Sequence, residues 1–375
     1  MNAPDPTSST GSLAGAPRGS ARRAISITIK AAVTLGAFWL LLTHEVPQPD
    51  GTHASALRTI LDYLPRIDAR TFWTFVALAA LVKSLGILSS MARWHLLLCA
   101  QGIRFPFLHI AGSFLIGRFI GTFLPSTIGL DGYKLYDAAR FSGRTVEAAA
   151  ATAIEKALGV IGIFLSFLVA LPLGAGIFGD RAGQVAAITV PLAAGVVAGF
   201  LLLMTRPGLL ERLIGAIPLP RRGLGRIQGF LRRTSAAATA FRHRGGVLAA
   251  ALALSFLVHF TTAVMYYFTA LAVGAFHADF WQVTLASTVQ ILATVLSPFT
   301  IAGEGVREIV QTLLLAKKIG VSESILSAAL GFWAAEALTL VGGIIWWARG
   351  KNYRPRYVIV PEIPRPEGHP GAGAD

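Results

Sequence analysis

The chain has 375 residues, of which 54% are hydrophobic and only 14% charged, and its mean hydropathy is +0.62. Soluble domains carry about 25% charged residues, so this composition excludes a soluble or disordered chain over most of the length. Lys and Arg number 33 against 19 Asp and Glu, a net charge of +14, and a basic membrane protein concentrates such an excess in its cytoplasmic loops.

Residues 1–24 are rich in Ala, Pro, Ser and Gly and read as a disordered cytoplasmic tail. The first apolar run, 25–43, follows Arg18, Arg22 and Arg23, which places the N-terminus inside. Ala54-Ser55-Ala56 has the small-x-small form of a signal-peptidase site but lies too far past Thr43 to serve as one. Residues 44–71 carry Glu45, Asp50, Asp62 and Asp68 against Arg58, Arg66 and Arg70, so 25–71 reads as a first span and an external loop. Further spans are predicted at 72–92, 147–172, 183–205, 247–274 and 324–347, each near the ~20 residues that cross a bilayer. Segment 206–246 holds nine Arg against Glu211 alone and reads as a basic cytoplasmic loop, with apolar residues at helical spacing that suit interfacial helices. The tail 349–375 opens with Arg349, Lys351, Arg354 and Arg356, which places the C-terminus inside as well.

These orientations leave 106–124 and 280–297 unable to cross. The parity of the remaining spans requires each to dip in and return, giving re-entrant hairpins at 106–141 and 280–318. The two hairpins also resemble each other. Pro125 to Lys134 aligns without gaps to Pro298 to Arg307, pairing Asp131 with Glu304 and Lys134 with Arg307. The same register carries the span at 72–92 onto 245–265, with the opposite direction across the membrane. The expected fold is therefore an all-α polytopic membrane protein with six full spans and two re-entrant broken hairpins, arranged as inverted-topology repeats over 72–205 and 247–348.

The breaks themselves are Pro125, Gly129 and Gly132 in the first hairpin and Pro298, Gly303 and Gly305 in the second. Unpaired backbone at that depth is tolerated only inside protein or beside a polar cavity. Half-helices predicted at 133–141 and 306–316 would offer free N–H groups to an anion, reinforced by Lys134 and Arg307. On the other reading Asp131 and Glu304 only cap these helices and the cations only reach for the interface.

Arg118 to Asp131, then Ile154-Glu155-Lys156, then Gly303 to Glu308 resemble the lysylphosphatidylglycerol synthase transmembrane (flippase-like) family over residues 70–350. Leu130 stands where that family has a second Gly. The resemblance implies a membrane protein of lipid translocation or lipid-linked sugar export, lacking the soluble aminoacyl-transferase domain of complete synthases.

Lys83, Arg118, Glu155, Lys156, Glu308 and Glu336 also lie within or beside apolar segments, where an isolated charge costs at least about 2.5–3.5 kcal/mol. Substrate contacts are therefore expected from Arg118, Asp131, Lys134, Glu155, Lys156, Glu304, Arg307 and Glu308. The cations would hold phosphate, and the carboxylates would balance charge or take a cationic headgroup. Arg118 has an ion pair with Glu155 as its alternative role, and Glu308 one with Arg307 or Lys134. The single Cys99 excludes an internal disulfide, and no metal motif, P-loop or nucleophile elbow occurs, so no cofactor, metal or catalytic residue is expected. The expected function is flippase-like movement of an anionic phospholipid or polyprenyl-phosphate amphiphile across a bacterial-type inner membrane. A membrane-embedded transferase acting on a lipid-linked substrate is the alternative. Expected partners are lipids with anionic headgroups and no nucleic acid, and the pattern is compatible with a homo-oligomer.

Overall fold

The computed structural model describes residues 53–123, 128–205, 244–296, 305–350 and 353–355, together with Phe241, residues 39–47 and isolated positions of the preceding segment. The basic loop 206–240 and the hairpin tips, which include Pro125, Pro298, Gly303 and Glu304, lie outside the described residues.

The segment 44–71, expected to be an external loop, contains structure that the sequence pattern did not suggest. Strands β1 (Glu45–Pro47) and β2 (His53–Ser55) pair antiparallel, with Glu45 opposite Ser55, a small exception among described residues that are mostly helical. Helix α1 (Ala56–Tyr63) follows, its N-terminus held by the Ser55 hydroxyl, which accepts from the Arg58 amide. The Tyr63 hydroxyl donates to the Val273 carbonyl at 2.7 Å. Burial, and secondly the Glu323 carboxylate, push this phenol up to about 12.

Helix α2 (Ala69–Ala100) begins at Asp68, whose carboxylate accepts from the Thr71 amide at 2.8 Å and is thereby held below its usual range. Next come α3 (Phe107–Phe123), α4 (Ile128–Ser142), α5 (Thr145–Gly174) and α6 (Ala182–Thr205). After the basic loop the chain forms α7 (Gly245–Ala272), α8 (Phe280–Leu296), α9 (Val306–Ile319), α10 (Val321–Ala337) and α11 (Val341–Arg349). Among the described residues, three stretches are long and apolar enough to cross a membrane: Ala69–Ala100, Thr145–Phe200 and Gly245–Ala272. The second of these runs from α5 into α6 through a 3-10 turn at Ala175–Arg181, where Gly179 departs from helical geometry. Large apolar side chains such as Leu81, Ile188 and Leu192 face outward, as they do where lipid is the solvent. The chain is a multi-pass membrane protein.

One predicted span needs correction. Residues 324–347 are not a single rod: α10 ends at Ala337 and α11 begins at Val341. The turn between them closes through Gly342 N–H to the Thr339 carbonyl at 2.8 Å and Gly343 N–H to the Leu340 carbonyl at 3.0 Å. The bend sets Gly342 flush against the Leu115 backbone of α3, a place no side chain fits.

Helix bounds recur in the register that sets Pro125 on Pro298. In it Phe107–Phe123 of α3 maps onto Phe280–Leu296 of α8 end to end, and Ala69–Ala100 of α2 maps onto 242–273, which brackets α7. Packing follows suit, since α3 lies on α4 as α8 lies on α9, and α5 lies on α8 as α11 lies on α3. The broadest interface joins α2 to α7. Small residues permit such contacts where lipid removes the hydrophobic drive to associate. A Cβ at Gly162 of α5 would stand 2.7 Å from the Ser255 backbone of α7. Gly117 and Gly121 of α3 form a groove that Leu130 of α4 fills, which explains how a leucine is accommodated where the related pattern has glycine.

Candidate functional site

Four of the charged residues singled out above meet beside α4, and Arg93 joins them. Asp131 and Lys134 come from α4, Glu155 and Lys156 from α5, and Arg93 from α2. Lys134 Nζ lies 2.6 Å from Glu155 Oε2, and Arg93 Nη2 donates to the other oxygen of Glu155 at 3.1 Å. Lys134 is 1% exposed and Glu155 3%, so the carboxylate is clamped by two cations out of reach of bulk solvent. The Lys134 ammonium also sits 4.8 Å from the Trp94 ring and 5.5 Å from Phe114, aromatic faces that favour a desolvated cation. Lys156 turns to Asp131 at 2.7 Å, and Lys134 adds a longer 3.6 Å contact to the same carboxylate. Successive helical residues diverge by about 100°, which is why Glu155 and Lys156 serve different partners.

Several expectations are corrected here. Helix α4 starts at Ile128 rather than near 133, because Gly129 and Leu130 pack as helix against α3, so Asp131 sits inside the first turn as an ion-pair partner and not as a cap. Gly132 is likewise helical. Arg118 does not reach Glu155, whose oxygens are taken by Arg93 and Lys134. Glu308 pairs with neither Arg307 nor Lys134. Its carboxylate turns back to accept from the Gly305 amide at 2.7 Å, so the start of α9, where Gly305 adopts φ +83°, already holds an anion from its own chain.

The second group lines a cavity of about 200 Å³ among α2, α3, α7, α8, α9 and α10. Lys83, Arg118 and Arg307 all border it, and no carboxylate does so among the described residues. Lys83 Nζ donates to Thr262 Oγ1 at 3.1 Å. The Arg307 guanidinium lies 4.5 Å from the Phe332 ring. Gln290 and Thr294 complete the polar lining, and among the described residues the buried Gln290 Oε1 and Thr294 Oγ1 have no hydrogen-bond partner. Converging cations, an amide and hydroxyls around a small open-mouthed cavity suit an oxyanion.

Sequence reasoning missed Arg93, because the predicted span stopped at Met91-Ala92; the apolar pattern of Trp94 and Leu96 to Leu98 continues past it and carried the signal. It also missed a third cluster, in which Asp137 of α4 meets His109 of α3 at 2.8 Å, with the Ser113 hydroxyl bonded to the same carboxylate. Arg349, at the end of α11, donates to Ser113 Oγ at 3.2 Å and to the His109 carbonyl at 2.9 Å. Three distant segments contribute, and no local spacing announces them.

Compared with curated proteins, the chain matches none. Its sequence does match the family model described as the lysylphosphatidylglycerol synthase TM region, over residues 27–343, and so takes in the first apolar run as well as both groups of charges. The chain belongs to this family of membrane proteins associated with lipid metabolism or transport.

Proposed function

We propose that this protein is a flippase-like carrier that moves an anionic amphiphile, a phospholipid or a lipid of the polyprenyl-phosphate type, between the leaflets of a bacterial-type inner membrane. The observation that carries the reading is the cavity bordered by Lys83, Arg118 and Arg307 within the helical body. The phosphate enters this cavity while the chains remain in lipid. The Lys134–Glu155–Arg93 cluster, whose charges already satisfy one another, braces the neighbouring hairpin rather than holding phosphate itself.

In this reading there are six spans, both termini are cytoplasmic, and α3–α4 and α8–α9 are re-entrant hairpins opening to opposite sides. The coincidence of helix bounds in the register of the two hairpins supports two inverted repeats, an architecture in which the site lies between the repeats and their rocking alternates access. No P-loop is present in the sequence, so movement is facilitated, ion-coupled or drawn by consumption on the far side.

The test is reconstitution into liposomes with a fluorescently labelled phosphatidylglycerol and a membrane-impermeant quencher. The wild type makes the inner-leaflet label accessible, and Arg307→Ala abolishes this while remaining folded. Unimpaired scrambling by Arg307→Ala removes the cavity from the function. The transferase reading draws on the chain of contacts from Asp137 through His109 to the Tyr353 hydroxyl, 3.1 Å from His109 Nδ1. A new covalent lipid product in the same liposomes would establish it in place of transport.

A further inference from the structure

A larger cavity, about 670 Å³, lies on another side of the molecule, between α3, α4 and α11. We infer that it is a separate binding site for the phosphate of an anionic phospholipid taken directly from the adjoining leaflet. Its volume falls in the usual range for ligand sites, about 300–1,000 Å³, and aromatic walls with a few placed polar groups are typical of them. Two of its walls are Trp346 and Trp347, and Trp347 is 85% exposed. Aromatic side chains exposed in this way mark headgroup depth in a membrane protein, so the cavity opens toward lipid.

Among the described residues its cations are Arg140 and Arg349. Arg349 is held in place before any ligand arrives, while Arg140 is an exposed side chain resting on its own helix. Arg140 donates to the Tyr136 hydroxyl at 3.3 Å and lies 5.3 Å from the Phe141 ring. Arg349 is fixed by its bonds to Ser113 and His109 and lies 4.5 Å from the Tyr353 ring. Asp137 is the one carboxylate lining the cavity among the described residues, and it is engaged by His109 and Ser113. Neither guanidinium is in an ion pair among the described residues. Positioned guanidinium forks beside aromatic faces suit a phosphate that carries an apolar body.

The fold does not require these groups. In the register that pairs Lys134 with Arg307, Tyr136, Asp137 and Arg140 correspond to Ile309, Val310 and Leu313, so the other hairpin builds the same helix from apolar residues. The aromatic walls and outward-facing tryptophans would gain nothing from a free inorganic anion, which is why the occupant is assigned as a lipid. The inference does not depend on the central cavity: a protein that moved no lipid would still show this site.

The full-length protein in phosphatidylcholine vesicles, doped with a small fraction of brominated phosphatidylglycerol, tests it through tryptophan quenching. The contribution of Trp346 and Trp347 is isolated by difference against Trp346→Phe/Trp347→Phe. Those two residues should be quenched well beyond the level given by brominated phosphatidylcholine at the same fraction. Removing one charge with Arg140→Gln should lower the preference about five-fold, the effect of one cation near an anionic surface. Arg140 makes only one local hydrogen bond, so this variant folds even if Arg349→Gln does not. Equal quenching by the two lipids overturns the site, as does an unchanged preference in Arg140→Gln. Loss of the preference on adding soluble glycerol phosphate would overturn the assignment to lipid in favour of a free anion. Native mass spectrometry of wild type and Arg140→Gln provides a second readout, with phosphatidylglycerol retained by the first and lost by the second.

Discussion

Lys134 and Arg307 align in the register that sets Pro125 on Pro298, yet their surroundings differ in kind. Lys134 is sealed against Glu155, which Arg93 grips from the other side. Arg307 is also largely buried, at 7% exposure, but it borders a cavity whose described lining includes two further cations. In the register that aligns Lys134 with Arg307, Glu155 aligns with Ala328. The Glu155 carboxylate makes Lys134 part of a brace, whereas Arg307 lines a cavity. The lesson is that cations aligned in sequence are best assigned from the groups that surround each in the fold.

The severest trial of this contrast is Glu155→Ala. It strands Arg93 and Lys134 in a dry interior, and removing one partner of a buried pair costs about 3–5 kcal/mol. A marked loss of thermal stability in detergent is expected, with partial recovery when Lys134→Met is added. A variant as stable as wild type would mean that the cluster is hydrated and not a brace. Next in size, Lys83→Gln and Arg118→Gln should each reduce lipid scrambling at least about ten-fold, the ~1.4 kcal/mol equivalent of one lost charge-assisted hydrogen bond. Their melting temperatures should move far less than that of Glu155→Ala. If stability and transport fell together in all three, the division into brace and binding site would fail.

Smaller effects test the edges. Tyr63→Phe removes the hydroxyl that ties helix α1 to the end of α7 and should cost about 1 kcal/mol. Because the folded state holds this phenol neutral, its pKa raised to about 12, the contribution is full below pH ~10 and is lost as pH climbs through the folded value. Wild type should therefore lose stability relative to Tyr63→Phe between those limits in a pH series of melts. The smallest change is expected from Lys156→Ala. Its side chain is 58% exposed in its contact with Asp131, and surface pairs contribute about 0–1 kcal/mol. A large defect there would bring Lys156 into the binding site.

Much of this arrangement could be read from the residues alone. The long apolar helices, the shared register of the two hairpins and the charges at Asp131, Lys134, Glu155 and Lys156 were visible because a charge within an apolar run stands out. Arg93 escaped because an arginine near the end of a run resembles an interfacial residue, and its true setting depends on Glu155, 62 positions away. The bend between α10 and α11 was hidden for a related reason. Its cause is the fit of Gly342 against Leu115 of α3, and hydropathy carries no record of which backbone will lie alongside. The cap at the start of α9 was half legible: Glu308 was marked as a buried acid, but its turn back to Gly305 is a matter of side-chain direction, which spacing alone leaves open.

The seam between α2 and α7 carries a mechanical implication. Arg93 reaches across it to Ser255 at 2.8 Å, Lys83 reaches across to Thr262 at 3.1 Å, and between them Gly86 nests against Thr261. Two long rods pinned at three heights cannot glide along one another without tearing those links. They can serve as a fulcrum. In a carrier built on this axis, travel belongs to the short helices on either flank, and a crosslink along the seam would leave turnover intact where one between the flanks would stop it.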